Sequence, residues 1–207
     1  MNPTFLYTDF GTYLREQLPI KVQKISINAG FTCPNRNGDK GWGGCTYCNN
    51  QTFNPAYCKT ERTVTEQLEE GKRFFARKYP DMKYLAYFQA YTNTYGDVKT
   101  VIGKYEEALA VNDVVGIVIG TRPDCVDEEK LDYLADLSRG EVMKDWTRTV
   151  NGEIRTSPIV IVEYGIESCY DVTLKRINRG HDFETARKAV MMTVGRGIDT
   201  GAHFIFG

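Results

Sequence analysis

The chain has 207 residues, with 26 lysines and arginines against 27 aspartates and glutamates, 42% hydrophobic residues and 12% aromatic ones. That length suits one large domain with a sizeable core, the apolar content excludes a disordered chain, and the charge balance excludes a protein whose whole surface is a nucleic-acid footprint. Met1 to Phe10 lacks a basic stretch before an apolar core, and no apolar run approaches the roughly 18 residues of a membrane span, so the expectation is a cytoplasmic protein without signal peptide or membrane helix.

Asp9 to Leu18 carries Tyr13, Leu14 and Leu18 and predicts a short leading helix ended by Pro19, within an N-terminal extension over residues 1–23. The β-branched run Ile25-Ser26-Ile27 predicts a first strand that stops at Asn28-Ala29-Gly30. Behind it a glycine-laden loop holds Cys33, Cys45 and Cys48. Thr63-x-x-Glu66 is a capping box, and Val64, Leu68, Gly71 and Phe75 share one face of a helix from Val64 to about Lys78. Lys83 to Gln89 is a nearly continuous apolar run, the pattern of a strand buried on both faces, with Tyr84, Tyr87 and Phe88 read as core. Asp97 caps a helix with the stripe Val98, Val101, Ile102, Tyr105, Ala108 and Leu109. Val114 to Ile119 is a third buried strand, and Asp127 caps a helix through Leu131, Leu134 and Leu137. Residues 139–157 are polar and include the hairpin signal Asn151-Gly152, which predicts an inserted loop or β-ribbon. Ile159 to Glu163 is strand four, helical stretches follow near Cys169 to Ile177 and from Asp182, and Ile198 to Phe206 is strand five.

Buried strands alternating with amphipathic helices predict an α/β fold with a parallel sheet of βα units over residues 24–207. The period leaves open whether the helices lie on one side of the sheet or on both. A last apolar strand without a covering helix would expose its edge, so the sequence is expected to be the N-terminal part of a longer protein.

Six cysteines in a long chain without an export signal point to metal or catalytic thiols in a reducing compartment. Three of them share one loop in the spacing Cys-x11-Cys-x2-Cys. Thiolates are soft ligands for zinc, copper(I) or iron-sulfur clusters, and a local set of three leaves one metal position open. Two alternatives are a structural zinc site with Cys58 or His203 as fourth ligand, and inert buried thiols. In parallel α/β folds the working residues follow the carboxyl ends of the strands. Here those ends carry the three cysteines, Gln89 to Asn93, Thr121 to Asp124, Glu163 with Glu167, and His203. A carboxylate such as Glu163 at the end of an apolar strand is costly without a partner, which argues for function. Arg122 and Asp124 either pair across Pro123 or cap the next helix. Cys58, Cys125 and Cys169 are read as reduced thiols, and the roles of Cys58, His181 and His203 stay open.

The cysteine loop after strand one, TRPD after strand three, and GIES followed by LKRINRGH after strand four resemble the radical S-adenosylmethionine (radical SAM) enzymes. Within them the likeness is to the YhcC-like group, similar to the Elongator catalytic subunit and to oxygen-independent coproporphyrinogen oxidase. The resemblance implies a partial parallel (β/α) barrel with five of about six βα units present, the C-terminal part missing. It implies a [4Fe-4S] cluster on Cys33, Cys45 and Cys48, with S-adenosylmethionine on the fourth iron and a 5′-deoxyadenosyl radical as the agent that attacks a substrate. Tyr47 takes the place of the aromatic beside the adenine, and Gln89-Ala90-Tyr91 that of the motif holding the methionine amino group. Thr121 joins the cofactor contacts, Glu163 and Glu167 are the ribose-binding positions, and Arg179 steadies the methionine carboxylate. An electron donor such as flavodoxin or ferredoxin is implied. The substrate is left open, with porphyrin-type decarboxylation and RNA modification as the alternatives and a zinc-stabilised binding module as the non-enzymatic one.

Overall fold

The computed structural model describes residues 7–49, 52, 54–76 and 81–206. Helix α1 (Phe10–Gln17) is capped by the Asp9 side chain, which accepts from Thr12 N, and ends where Leu18 and Pro19 follow. Strand β1 (Val22–Ile27) is longer than its β-branched core suggests. Helix α2 (Val64–Ala76) begins at the expected capping box; residues 77 and 78, expected to end it, lie outside the described residues. Strand β2 (Lys83–Phe88), α3 (Val98–Ala110) and β3 (Val114–Thr121) follow, and Asp97 caps α3 through Thr100 N. A short 3-10 turn over Pro123–Cys125 leads into α4 (Glu128–Arg139), capped by Asp127 and stopped by Gly140 in the left-handed region at φ 74°.

The polar insertion forms a ribbon of β4 (Arg148–Val150) and β5 (Glu153–Arg155). Asn151 and Gly152 both have positive φ, 50° and 82°, as a primed two-residue hairpin turn demands. The ribbon is anchored, since Trp146 Nε1 donates to Leu109 O at 3.1 Å and the Arg148 guanidinium donates to Leu109 O and Val111 O. Strand β6 (Ile159–Glu167) then returns to the main sheet, followed by α5 (Asp171–Arg176), α6 (Phe183–Val194) and β7 (Asp199–Phe204).

The central sheet has the order β1-β2-β3-β6-β7, and every neighbouring pair is parallel. Each new strand joins the same edge, so right-handed crossovers put all covering helices on one face. The core agrees: Ile25, Ile27, Phe88, Ile119, Val162 and Tyr164 pack in one cluster with side chains of α2, α3, α4 and α6. On the opposite face Leu85, Val115, Val118, Ile159 and Ile161 meet Leu14 and Leu18 of α1. Helix α1 thus covers the half of that face nearest the strands' amino ends, and polar side chains occupy the other half.

Two expectations change. Strand β6 runs through Glu163 to Glu167, so Glu163 is a mid-strand residue. After Glu163 the alternation Tyr164, Gly165, Ile166, Glu167 buries one face under helices while the other carries the carboxylates. Tyr87, read as core, points to the α1 side and lines a pocket, because it is one residue out of phase with Tyr84, Ala86 and Phe88.

Two glycines test this packing with opposite signs. A Cβ at Gly71 in α2 would overlap Ile25 Cγ2 on β1, whereas a Cβ at Gly103 in α3 meets nothing within 4 Å. Gly71→Ala is expected to lower stability, because overpacking of ~1–3 kcal/mol exceeds the ~1 kcal/mol that alanine gains over glycine in a helix. Gly103→Ala gains that helical term alone. Urea unfolding measures both; equal midpoints for the two variants would contradict the seating of α2 on β1.

Candidate functional site

At the carboxyl ends of the strands a pocket of about 420 Å³ is lined by Cys33, Cys45, Tyr47, Cys48, Gln89, Thr121, Glu163, Glu167 and Arg179, together with Tyr87, Arg122 and His203. The nine residues that the resemblance assigns to cluster and cofactor all line this one cavity. Cys58 does not: its thiol donates to Ser26 O at 2.9 Å, burial pushes it up to about 12, and it lines a separate depression with Asn28 and Arg62.

The cysteine loop is folded by its own backbone and then clasped from across the fold. Arg36 N donates to Cys33 O at 2.9 Å, Gly44 N to Asn35 O at 2.9 Å and Cys48 N to Cys45 O at 3.0 Å. The turn after α5, Ile177 to Gly180, holds the loop: Thr46 N donates to Ile177 O at 3.0 Å and Asn178 Nδ2 to Gly44 O at 2.9 Å. Asn35, 1% exposed, returns the contact through Nδ2 to Asn178 O at 2.6 Å and Arg179 O at 3.1 Å. Gly180 sits at φ +79°, and a Cβ there would reach Asn35 Oδ1 at 2.5 Å, so the turn is shaped around this side chain.

All six cysteines are free thiols. Two of the three in the loop face a guanidinium: Arg122 Nη1 is 3.9 Å from Cys33 Sγ and Arg179 Nη1 is 3.6 Å from Cys45 Sγ, while Arg36 Nη2 donates to the backbone carbonyl of Cys48 at 3.3 Å. Asn35 Nδ2 adds a donor to Cys45 Sγ at 3.7 Å. Among the described residues, no three His, Cys, Asp or Glu side chains converge closely enough to hold one metal ion. A zinc ion needs its ligands about 2.0–2.3 Å from a single point. A four-iron cube is different, because each thiolate meets its own iron and the ligands stand further apart. Three thiols in one loop are a soft donor set, of the kind that zinc and iron-sulfur clusters take.

The carboxylates come from β6. Glu163 pairs in register with Gly120 on β3 and Gly201 on β7, so no side chain flanks it on the sheet. Its oxygens accept from Lys24 Nζ at 2.5 Å and His203 Nε2 at 3.2 Å. Burial alone would raise its pKa, but the contacts from His203, Lys24 and Tyr87 prevail and hold it at about 2. Glu167 Oε1 stands 3.8 Å from Arg179 Nη2, and the guanidinium also donates to Gly165 O. Burial and Glu167 push the Tyr47 hydroxyl well up, against the opposing effect of Arg179. The Thr121 hydroxyl shares a 2.6 Å hydrogen bond with Thr94, and Gln89 Oε1 accepts from Ser26 at 3.5 Å. Arg122 and Asp124 form a two-pronged pair at 2.9 Å, and Asp127, not Asp124, caps the following helix. Sequence reasoning missed the roles of Lys24, Tyr87 and Asn35; alternation along β1 and β2 was a usable signal for the first two.

No model of a known protein family matches the chain. It is 35% identical to the protein YhcC of Escherichia coli K12 over 198 residues, 96% of this chain and 58% of that protein. It is 37% identical to the uncharacterized protein YtqA of Bacillus subtilis strain 168 over 202 residues, 97% of this chain and 57% of the relative. The chain thus spans somewhat more than half the length of these relatives. Among solved structures, Elp3 of the archaeon Methanocaldococcus infernus, with its N-terminus (1–46) deleted, matches with a TM-score of 0.56 over 91% of this chain and 39% of that one, at 16% identity. The fold is Elp3-like. Like Elp3 it is an α/β arrangement on a parallel sheet, and at that identity the likeness carries the fold alone. No helix among the described residues is long and apolar enough to cross a membrane.

The pair Glu163–His203 is testable by proton NMR, the chain having only two histidines. The bond to Glu163 raises His203 above 6.5, while burial lowers His181 below it. In Glu163→Gln the His203 titration is expected to fall to 6.5 or below and His181 to stay in place. For stability the signs are opposite: the Glu163 share is present above pH 4.5 and lost as pH falls toward about 2, and the His203 share is present below pH 6.5 and lost as pH rises through its raised value. A His203 titration indifferent to Glu163→Gln contradicts the pairing.

Proposed function

We propose that the chain is the cofactor-binding core of a radical SAM enzyme, with a [4Fe-4S] cluster on Cys33, Cys45 and Cys48 and S-adenosylmethionine at the open iron. The observation that carries this reading is the opening of all three loop thiols, two of them beside a guanidinium, onto one pocket at the carboxyl ends of a parallel sheet. The YhcC- and YtqA-like relatives and the Elp3-like fold support the relationship.

The chemistry such a cluster and S-adenosylmethionine supply when bound is one-electron cleavage of the sulfonium to methionine and a 5′-deoxyadenosyl radical, which takes a hydrogen atom from substrate. The chain's own residues bind and shield. Arg179, beside Cys45, offers a guanidinium fork to a carboxylate. Glu167 and Glu163 offer acceptors to ribose hydroxyls, Gln89 and Thr121 supply polar groups after β2 and β3, and the half-exposed Tyr47 ring flanks the adenine. A curled, half-barrel sheet is supported by the Lys24–Glu163 bridge: β1 and β6 are three strand spacings apart, about 14 Å on a flat sheet, yet the side chains meet. Six reduced thiols and an oxygen-labile cluster suit the cytoplasm, with a small flavodoxin- or ferredoxin-type electron donor. An RNA substrate draws its support from the Elp3-like fold alone, and many reactions share such a fold.

Anaerobic reconstitution with iron and sulfide is expected to give a brown protein with about four irons per chain, and dithionite with S-adenosylmethionine to release 5′-deoxyadenosine. Cys48→Ala abolishes iron binding, while Cys169→Ala, at an exposed thiol, retains it. A colourless protein holding one zinc, or equal loss of iron in both variants, overturns the reading.

A further inference from the structure

The segment Arg122-Pro123-Asp124 after β3 has no part in holding the cofactor as described so far, yet it aims a charge at the cysteine loop. Arg122 is 2% exposed, the more deeply buried of the two guanidiniums at the thiols. Its Nε and Nη2 are fixed by the Asp124 carboxylate at 2.9 Å each, which leaves Nη1 for Cys33 Sγ at 3.9 Å. Asp124 is 4% exposed at its side chain and is itself held by Lys40, which belongs to the cysteine loop. Burial would raise the Asp124 pKa, but Arg122 and Lys40 hold it at about 2, so the carboxylate stays charged. The loop that carries Cys33 therefore also supplies the far end of the ion chain that positions Arg122. Arg36 and Arg179 differ: Arg36 lies over the Tyr91 ring at 5.6 Å, and Arg179 donates to Gly165 O and faces Glu167 at the open mouth.

A buried cation beside a thiolate ligand stabilises whichever cluster state is more negative. Gaining one electron makes a cluster more negative, so such a cation makes reduction easier. Resting on the cluster reading above, we propose that Arg122, locked by Asp124 and Lys40, is a positioning residue that sets the reduction potential of the cluster through Cys33. It touches neither the nucleoside pocket's ribose-side carboxylates nor the methionine-side Arg179. Its effect is on electron entry: one electron passes from an external one-electron donor, which is oxidised, to the cluster, which is reduced.

The test is an EPR-monitored potentiometric titration of the reconstituted protein with dithionite as reductant. Arg122→Gln is expected to lower the midpoint so that the reduced-to-oxidised ratio at a fixed potential falls about tenfold, a shift of about 59 mV for a one-electron couple. Asp124→Asn, which leaves the guanidinium uncompensated, shifts the midpoint the opposite way. Arg122→Lys retains the charge and recovers most of the difference. Should Arg122→Gln fail to fold, Lys40→Gln at a side chain 40% exposed still reads the same chain, and unmasking Asp124 lowers the midpoint in the direction of Arg122→Gln. Iron incorporation in the wild type separates the outcomes. No cluster in the wild type overturns the cluster reading and this inference with it. A normal cluster whose midpoint is the same in all variants overturns the inference alone and leaves Arg122 as a brace for the turn.

Discussion

The site depends on one long-range contact, the seating of Asn35 against the turn Asn178 to Gly180. A loop of glycines and three cysteines has little hydrophobic surface of its own, and ordering it costs backbone entropy of about 1–2 kcal/mol per residue. The buried amide of Asn35 and the reciprocal bonds from Asn178 and Thr46 offset that cost by joining the loop after β1 to the segment after β6. The same turn delivers Arg179 to Cys45. Fixing the loop and placing a guanidinium beside Cys45 are therefore done by the same few residues.

The sheet supplies the rest through its two faces. Helices cover one face over β1, β2, β3 and β6, and α1 covers the other near the strands' amino ends. The carboxyl-end half is left to Lys24, Tyr87, Glu163 and His203, where glycines at 120 and 201 keep space beside Glu163. A carboxylate at mid-strand in an otherwise apolar segment survives because Lys24 and His203 satisfy both oxygens. Charge is handled likewise at the cysteines, where Asp124 and Glu167 stand behind the two guanidiniums.

Local chemistry made much of this legible. Asp9, Asp97, Asp127 and Asp182 each accept from the backbone three residues on, as capping residues should, and Asn151-Gly152 turns the ribbon. The five parallel strands followed from their apolar runs, and the cysteine spacing marked the loop that lines the pocket. Three things were not legible. The run IVIVE hid the alternation that carries β6 on to Glu167. Tyr87 looked like core because its neighbours are core. The partnership of Asn35 with residues 178–180 spans more than 140 residues and has no local signature. Whether helices would lie on one face was likewise a matter of strand order, which periodicity does not encode.

The central claim is that three loop thiols hold a cluster whose open iron faces the nucleoside pocket. Its most direct test is the EPR spectrum of the dithionite-reduced, reconstituted protein before and after S-adenosylmethionine is added. The account predicts a [4Fe-4S] signal whose g-values shift on addition, because the methionine end binds the iron that carries no cysteine. A cluster signal indifferent to S-adenosylmethionine would contradict it.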